Sequence, residues 1–101
     1  MCGSCWAFST TGSIEGAHFL ASKSLKSLSE QQLVDCAGGE WGNSGCNGGL
    51  MDLAFKYVEK NPLEEEKDYP YKAHQQDCNF DRSKAEVSIK SFKDVPANSA
   101  E

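Results

Sequence analysis

The residues with reactive side chains come at the very start of the chain. "MCGSCWAFST" places Cys2 and Cys5 around two intervening residues, with Trp6 directly after. Such a pair can be a dithiol redox centre, half of a zinc site, or two cysteines with separate tasks. Zinc takes about four ligands, usually as two close pairs. Cys36 and Cys46 are ten apart, Cys78 stands alone, and His18 and His74 have no spacing relation to the cysteines, so that pattern is not met. A thioredoxin-type centre needs a strand before the motif and a βαβ unit around it. Only Met1 precedes Cys2, and no such unit follows. The remaining reading splits the pair. Cys5 falls at the first position of a helix, where unpaired amides and the helix dipole stabilise a negative charge and so favour a thiolate. Cys2, outside that helix, is structural. The chain has 5 cysteines, an odd number. Two disulfides and one free thiol is the simplest oxidised state, and the free thiol is the one to suspect of chemistry.

The elements that must hold these cysteines are mainly helical. Residues 5–21 read as a helix with Ser4 as its N-cap, the hydroxyl accepting from a first-turn amide. Trp6, Thr10, Ile14, Ala17 and Ala21 form its apolar stripe, widened by Phe8 and Phe19. "LSEQQLVDC" carries a capping box, Ser29 with Gln32, and a hydrophobic staple, Leu28 with Leu33, which start a short helix ending near Cys36. "AGGEWGNSGCNGG" has glycine at 38, 39, 42, 45, 48 and 49, so it is a loop that needs unusual backbone angles or close approach to another group. "LMDLAFKYVEKN" gives a third helix with Leu50, Leu53, Ala54, Tyr57 and Val58 on one face, stopped by Pro62. Glu64, Glu65 and Glu66 read as a solvated face. Ala85, Val87 and Ile89 alternate, so residues 85–92 are a strand candidate for which no second strand is evident.

Size and charge limit the functional classes. The chain's 101 residues fit one small domain, and its net charge of −5 argues against nucleic acid and anionic membranes as partners. No apolar run is long enough to span a bilayer. Position 1 leads straight into the cysteine motif with no signal peptide, as expected of an excised piece whose Met1 is an initiator.

"CGSCWAFS" resembles the active-site segment of papain-like cysteine proteases. "GSIEG", "SLSEQQLVDC", "GCNGGLMD" and "YPY" follow in the family's order, and "CNGGLMD" is most similar to the cathepsin L branch. The resemblance implies the helical lobe of the α+β papain-like fold: three helices plus loops, disulfide-stapled, with a short strand near the end. On that reading residues 1–83 are the lobe, and residues 84–101 are a strand and tail leading toward a second, β-barrel lobe. It also implies Cys5 as the nucleophile and the disulfides Cys2–Cys46 and Cys36–Cys78. Substrate-binding residues would be Gly3, Ser4 and Trp6 around the nucleophile and Gly48, Gly49, Leu50 and Met51 on the glycine loop. Gly48 and Gly49 would bond an extended peptide, and Leu50 and Met51 would line the pocket for the second residue before the scissile bond. No metal or cofactor is implied. The partner is a peptide or protein substrate, and the compartment is lysosomal, vacuolar or secretory.

A thiolate protease also needs a general acid–base histidine and an asparagine to orient it, expected about 130–150 residues beyond the nucleophile. His18 lies about 20 Å along the same helix from Cys5. His74 sits in a polar loop and reads as a surface residue. The family's oxyanion glutamine would lie upstream of Cys2. The expected state is a cathepsin L-like endopeptidase fragment, inactive alone. The alternatives are a stand-alone folding module or an interaction domain that self-associates through its exposed inter-lobe face.

Overall fold

The helix Cys5–Ser22 (α1) packs against both other helices, Glu30–Cys36 (α2) and Met51–Lys60 (α3). The computed structural model describes residues 2–88. Single turns of 3-10 helix at Gly39–Trp41 and Gly45–Asn47 shape the glycine loop between α2 and α3. A third such turn, Arg82–Lys84, precedes the last described strand. No helix of the described residues is long and apolar enough to cross a membrane.

The buried face of α1 is shorter than its sequence pattern. Trp6, Ala7, Thr10, Thr11 and Ile14 are buried, but Phe19 and Ala21 are exposed. The expected stripe therefore thins beyond Ile14, where Ala17 is half-buried and Phe19 and Ala21 face solvent. Lys23 ends α1 in a left-handed conformation, its amide donating to the Phe19 carbonyl at 2.7 Å.

α2 begins as its sequence demands, with one correction. Ser29 Oγ accepts from the Gln32 amide at 3.0 Å. The reciprocal half of the capping box is absent, because the Ser29 amide donates instead to the Glu64 carbonyl. The freed Gln32 side chain ties three segments together. It donates to Tyr57 Oη and to the Pro62 carbonyl, and it accepts from the Glu64 amide at 2.8 Å. Leu28 and Leu33, the expected staple, are both fully buried in the core. α3 contributes Ala54, Phe55, Tyr57 and Val58 to that core, and Trp41 meets the Tyr57 ring edge-on at 5.5 Å. Leu50, counted by periodicity among the core positions, is 64% exposed and lies just outside the helix.

The strand expected to lack a partner has one. Leu63–Glu64 (β1) pairs antiparallel with Ala85–Val87 (β2), placing Leu63 opposite Val87 with both side chains in the core. Residues 89–92 of the expected strand lie outside the described residues. β1 also overturns the solvated reading of the acidic run. Glu64 is buried, and its Oε2 accepts from the Asp81 amide at 2.8 Å. Glu65 is half-buried and paired with Lys26 and Lys67 at 3.4 Å each.

Candidate active site

Cys5 opens α1, is exposed, and is the free cysteine among the described residues. The other four pair as Cys2–Cys46 and Cys36–Cys78, as the resemblance implied. The first bridge ties the segment before α1 to the glycine loop. The second hangs the polar loop after Tyr69 on the end of α2. Asp35 completes that anchor by accepting from Gln31 Nε2, the Gln76 amide and Tyr69 Oη, each at 2.8 Å. Burial raises the Tyr69 phenol above its usual range, so it stays a neutral donor.

The helix start differs from the sequence expectation. Ser4 occupies the N-cap position, but its side chain caps no amide. Its hydroxyl is buried and bonds Tyr71 Oη at 2.7 Å. The first turn closes through the Ser4 carbonyl, which accepts from the amides of Ala7 and Phe8. Among the described residues no side chain caps the positive end of α1 beside the thiol.

Trp6 anchors this turn to the loop. Its ring is 4% exposed and its indole Nε1 donates to the Gly45 carbonyl at 3.0 Å. Gly3 makes the parallel backbone link, its amide donating to the Cys46 carbonyl at 2.7 Å. A Cβ on Gly3 would stand 2.8 Å from that carbonyl oxygen, which accounts for glycine here. Asn43, not singled out by sequence, braces the far side of the loop. It donates to the Ala37 carbonyl at 3.1 Å and accepts from the Leu50 amide at 2.7 Å. Its only sequence signal was its place inside a glycine-rich loop.

A groove of about 450 Å³ opens beside the thiol, lined by Cys5, Trp6, Ser9, Gly49, Leu50, Met51 and Asp52. Ser9, one turn along α1 from Cys5, and Asp52 are members that sequence reasoning missed. Met51 is half-buried, packed against the core, whereas Leu50 projects into solvent. Gly48 has φ of 119° and spends its own groups inside the loop, bonding the Gly45 carbonyl and the Ser44 amide. The Gly49 amide and carbonyl have no hydrogen-bond partner among the described residues, so one free backbone edge faces the groove. Gly3, Ser4 and Gly48 do not line it. His18 lies well along the unbroken helix, and His74 is exposed, its carbonyl accepting from Gln31 Nε2. Neither histidine lines the groove.

Comparison with known proteins gives this arrangement a context. The family model described as papain family cysteine protease matches residues 1–101. Cathepsin L1 of Drosophila melanogaster is 52% identical over 96 residues, covering 94% of this chain and 26% of that protein. A cathepsin L-like peptidase of Aedes aegypti is 48% identical over 101 residues, covering 99% of this chain and 30% of that protein. Among solved structures, digestive procathepsin L 3 of Tenebrio molitor larval midgut superposes with a TM-score of 0.86 at 46% identity, over 89% of this chain and 29% of that one. A cysteine protease of Carica candamarcensis, solved in complex with E-64, superposes with a TM-score of 0.79 at 35% identity, over 89% of this chain and 41% of that one. The chain thus spans 26 to 30% of the length of these two curated relatives.

Proposed function

The chain belongs to the papain family of cysteine proteases, in its cathepsin L-like branch, and from that premise we propose that Cys5 is the nucleophile of peptide-bond hydrolysis. The observation that carries this reading is the pairing of one exposed free thiol with an unpaired backbone edge at Gly49 on the same groove. An extended peptide would lie along that edge, matching its own amide and carbonyl to those of Gly49. Cys5 Sγ would attack the scissile carbonyl carbon, the C–N bond would break, and water would hydrolyse the resulting thioester. Exposed Leu50 and half-buried Met51 favour an apolar side chain two residues before the scissile bond. Ser4 and Trp6 serve the site by holding the thiol's turn, and Gly3 by holding the loop.

The departing amine needs a proton, and neither histidine of this chain reaches the groove. The acid–base histidine, its asparagine and the oxyanion glutamine are therefore assigned to polypeptide beyond these residues. The lobe extends past the expected boundary at residue 83, because β2 pairs with β1 and buries Val87 in the core, so we place the passage to the other lobe after β2. The intact protein would act in a lysosome, vacuole or secretion. The test is peptide-amide hydrolysis by the 101-residue chain beside its Cys5→Ser variant. Background rates for both are expected. Sustained turnover lost in Cys5→Ser would overturn the assignment of the base to another segment.

One observation favours a second reading, self-association through exposed apolar side chains. Phe8, Leu20, Leu25 and Leu50 are 45%, 66%, 74% and 64% exposed. Sedimentation equilibrium tests it: a concentration-dependent dimer supports self-association, and a monomer throughout removes it.

A further inference from the structure

Three carboxyls gather where α1, the start of α2 and the turn after β1 meet. Glu15 Oε2 accepts from the Leu28 amide at 2.8 Å. Glu30 Oε2 accepts from Thr11 Oγ1 at 2.7 Å. Glu66 Oε2 accepts from the Tyr71 amide at 2.9 Å. The other oxygen of Glu66, Oε1, is the one buried side-chain polar atom among the described residues with no hydrogen-bond partner. Such orphans are rare in folded proteins, because a desolvated acceptor left unpaired costs free energy.

The Glu66 amide donates to the Ser27 carbonyl just before α2, and the Glu66 carboxyl interacts with that of Glu30. Two ionised carboxylates have only acceptors and cannot bond, whereas one protonated carboxyl donates to the other. Thr11 is not the missing donor to Glu66, since its hydroxyl serves Glu30 or the Phe8 carbonyl. The lysines of this region, Lys26 and Lys67, are paired with Glu65.

Glu66 also leads directly to the thiol. It holds the backbone of Tyr71, whose ring meets Phe8 edge-on at 5.0 Å and whose hydroxyl bonds Ser4. Ser4 is the residue before Cys5. We propose that Glu30 and Glu66 share one proton, and that this proton makes Glu66, Tyr71 and Ser4 a strut that positions the Cys5 turn in acid and slackens toward neutral pH. Glu30, Glu66 and Tyr71 are then positioning residues. This inference rests on the reading of Cys5 as nucleophile only for its catalytic consequence.

The electrostatics run the same way. Burial pushes the Glu30 carboxyl up to about 7, opposed by the Thr11 bond and reinforced by Glu66. Burial also raises Glu15, opposed by the Leu28 amide and reinforced by the Glu66 charge. A carboxyl raised on folding binds a proton that the unfolded chain has released. The native state therefore loses stability as pH rises from the ordinary 4.5 to about 7.

The experiment follows the glutamate side-chain carboxyl carbons by NMR in the disulfide-intact chain, with thermal melts and first-turn amide exchange at pH 5 and 7.5. One carboxyl should stay protonated to near neutrality, and its titration should vanish in Glu30→Gln. That variant, and Glu66→Gln beside it, should flatten the fall in melting temperature between the two pH values, because the new amide donates with no charge. Tyr71→Phe keeps the ring but loses the Ser4 bond, and should lower the protection of the Ala7 and Phe8 amides, relative to their intrinsic exchange rates, several-fold and equally at both pH values. Titration of every glutamate below pH 5, or an undiminished fall in both glutamine variants, would overturn the shared proton. Unchanged first-turn exchange in Tyr71→Phe would overturn the strut. The carboxyl titration should persist in Cys5→Ser, so failure of the nucleophile assignment reads out separately.

Discussion

The indole of Trp6 donates to the carbonyl of Gly45 at 3.0 Å, joining the residue after the thiol to the loop that forms the opposite wall of the groove. Together with the Cys2–Cys46 bridge and the Gly3–Cys46 backbone bond, it fixes helix start and loop as one frame. Trp6→Phe preserves an aromatic body but leaves a buried carbonyl without its donor. The expected cost is about 1–3 kcal/mol, read from the urea unfolding midpoint. A midpoint equal to that of the parent would mean the indole bond holds nothing.

Glycines on the two sides of this frame should respond to alanine in opposite directions. A Cβ at Gly49 would strike the Asn43 side chain and come within 2.9 Å of Trp6 Cδ2. Gly49→Ala should destabilise by about 1–3 kcal/mol through overpacking. Gly12 lies exposed inside α1 with nothing near its missing Cβ. Gly12→Ala should stabilise by about 1 kcal/mol, the helix-propensity difference. Denaturant melts of both variants check the pair, and equal signs would contradict the placement of one of them.

Asn43 satisfies one carbonyl and one amide at once, bridging Ala37 and Leu50. Asn43→Ala strips both and should cost about 2–4 kcal/mol by the sum of two lost partners. Amide exchange at Leu50 should rise in the same variant. Protection there that matched the parent would show that another acceptor serves this amide.

The bridges close loops with sequence separations of 44 and 42 residues. By chain-entropy arithmetic each contributes about 4 kcal/mol, comparable to the whole stability of a domain this small. Thiol titration in denaturant should give one equivalent before reduction and all 5 after it. Reduction under native conditions should unfold the chain. Folded structure retained in reductant would mean the core alone suffices.

Much of the frame was legible in the sequence because it rests on local rules. The helix start near Ser29, the stop at Pro62 and the glycines at tight approaches follow from capping and backbone sterics, and the start at Cys5 falls where the sequence places it without the side-chain cap it suggests. What escaped depended on partners distant along the chain. Ser4 has the type of a cap, yet Tyr71, 67 positions away, takes its hydroxyl. Gln32 fits a capping box, yet a buried Tyr57 and the β1 backbone use its amide. Glu64 sits in an acidic run that reads as solvated, yet it pairs with β2 and receives the Asp81 amide. The stripe of α1 was overextended because periodicity records which residues are apolar and not which are covered. Ser9 and Asp52 joined the groove only through the packing of α1 against α3.

The most direct test of Cys5 as a peptide-directed nucleophile is labelling with peptidyl chloromethyl ketones, with adducts located by mass spectrometry. Attack by Cys5 Sγ displaces chloride and needs no proton donor, so the reaction probes the groove of this chain alone. The predicted result is a single adduct at Cys5, formed faster when leucine precedes the residue bearing the ketone than when aspartate does. That preference should shrink in Leu50→Asp. Equal rates for the two reagents, or an adduct at His18 or His74, would contradict it.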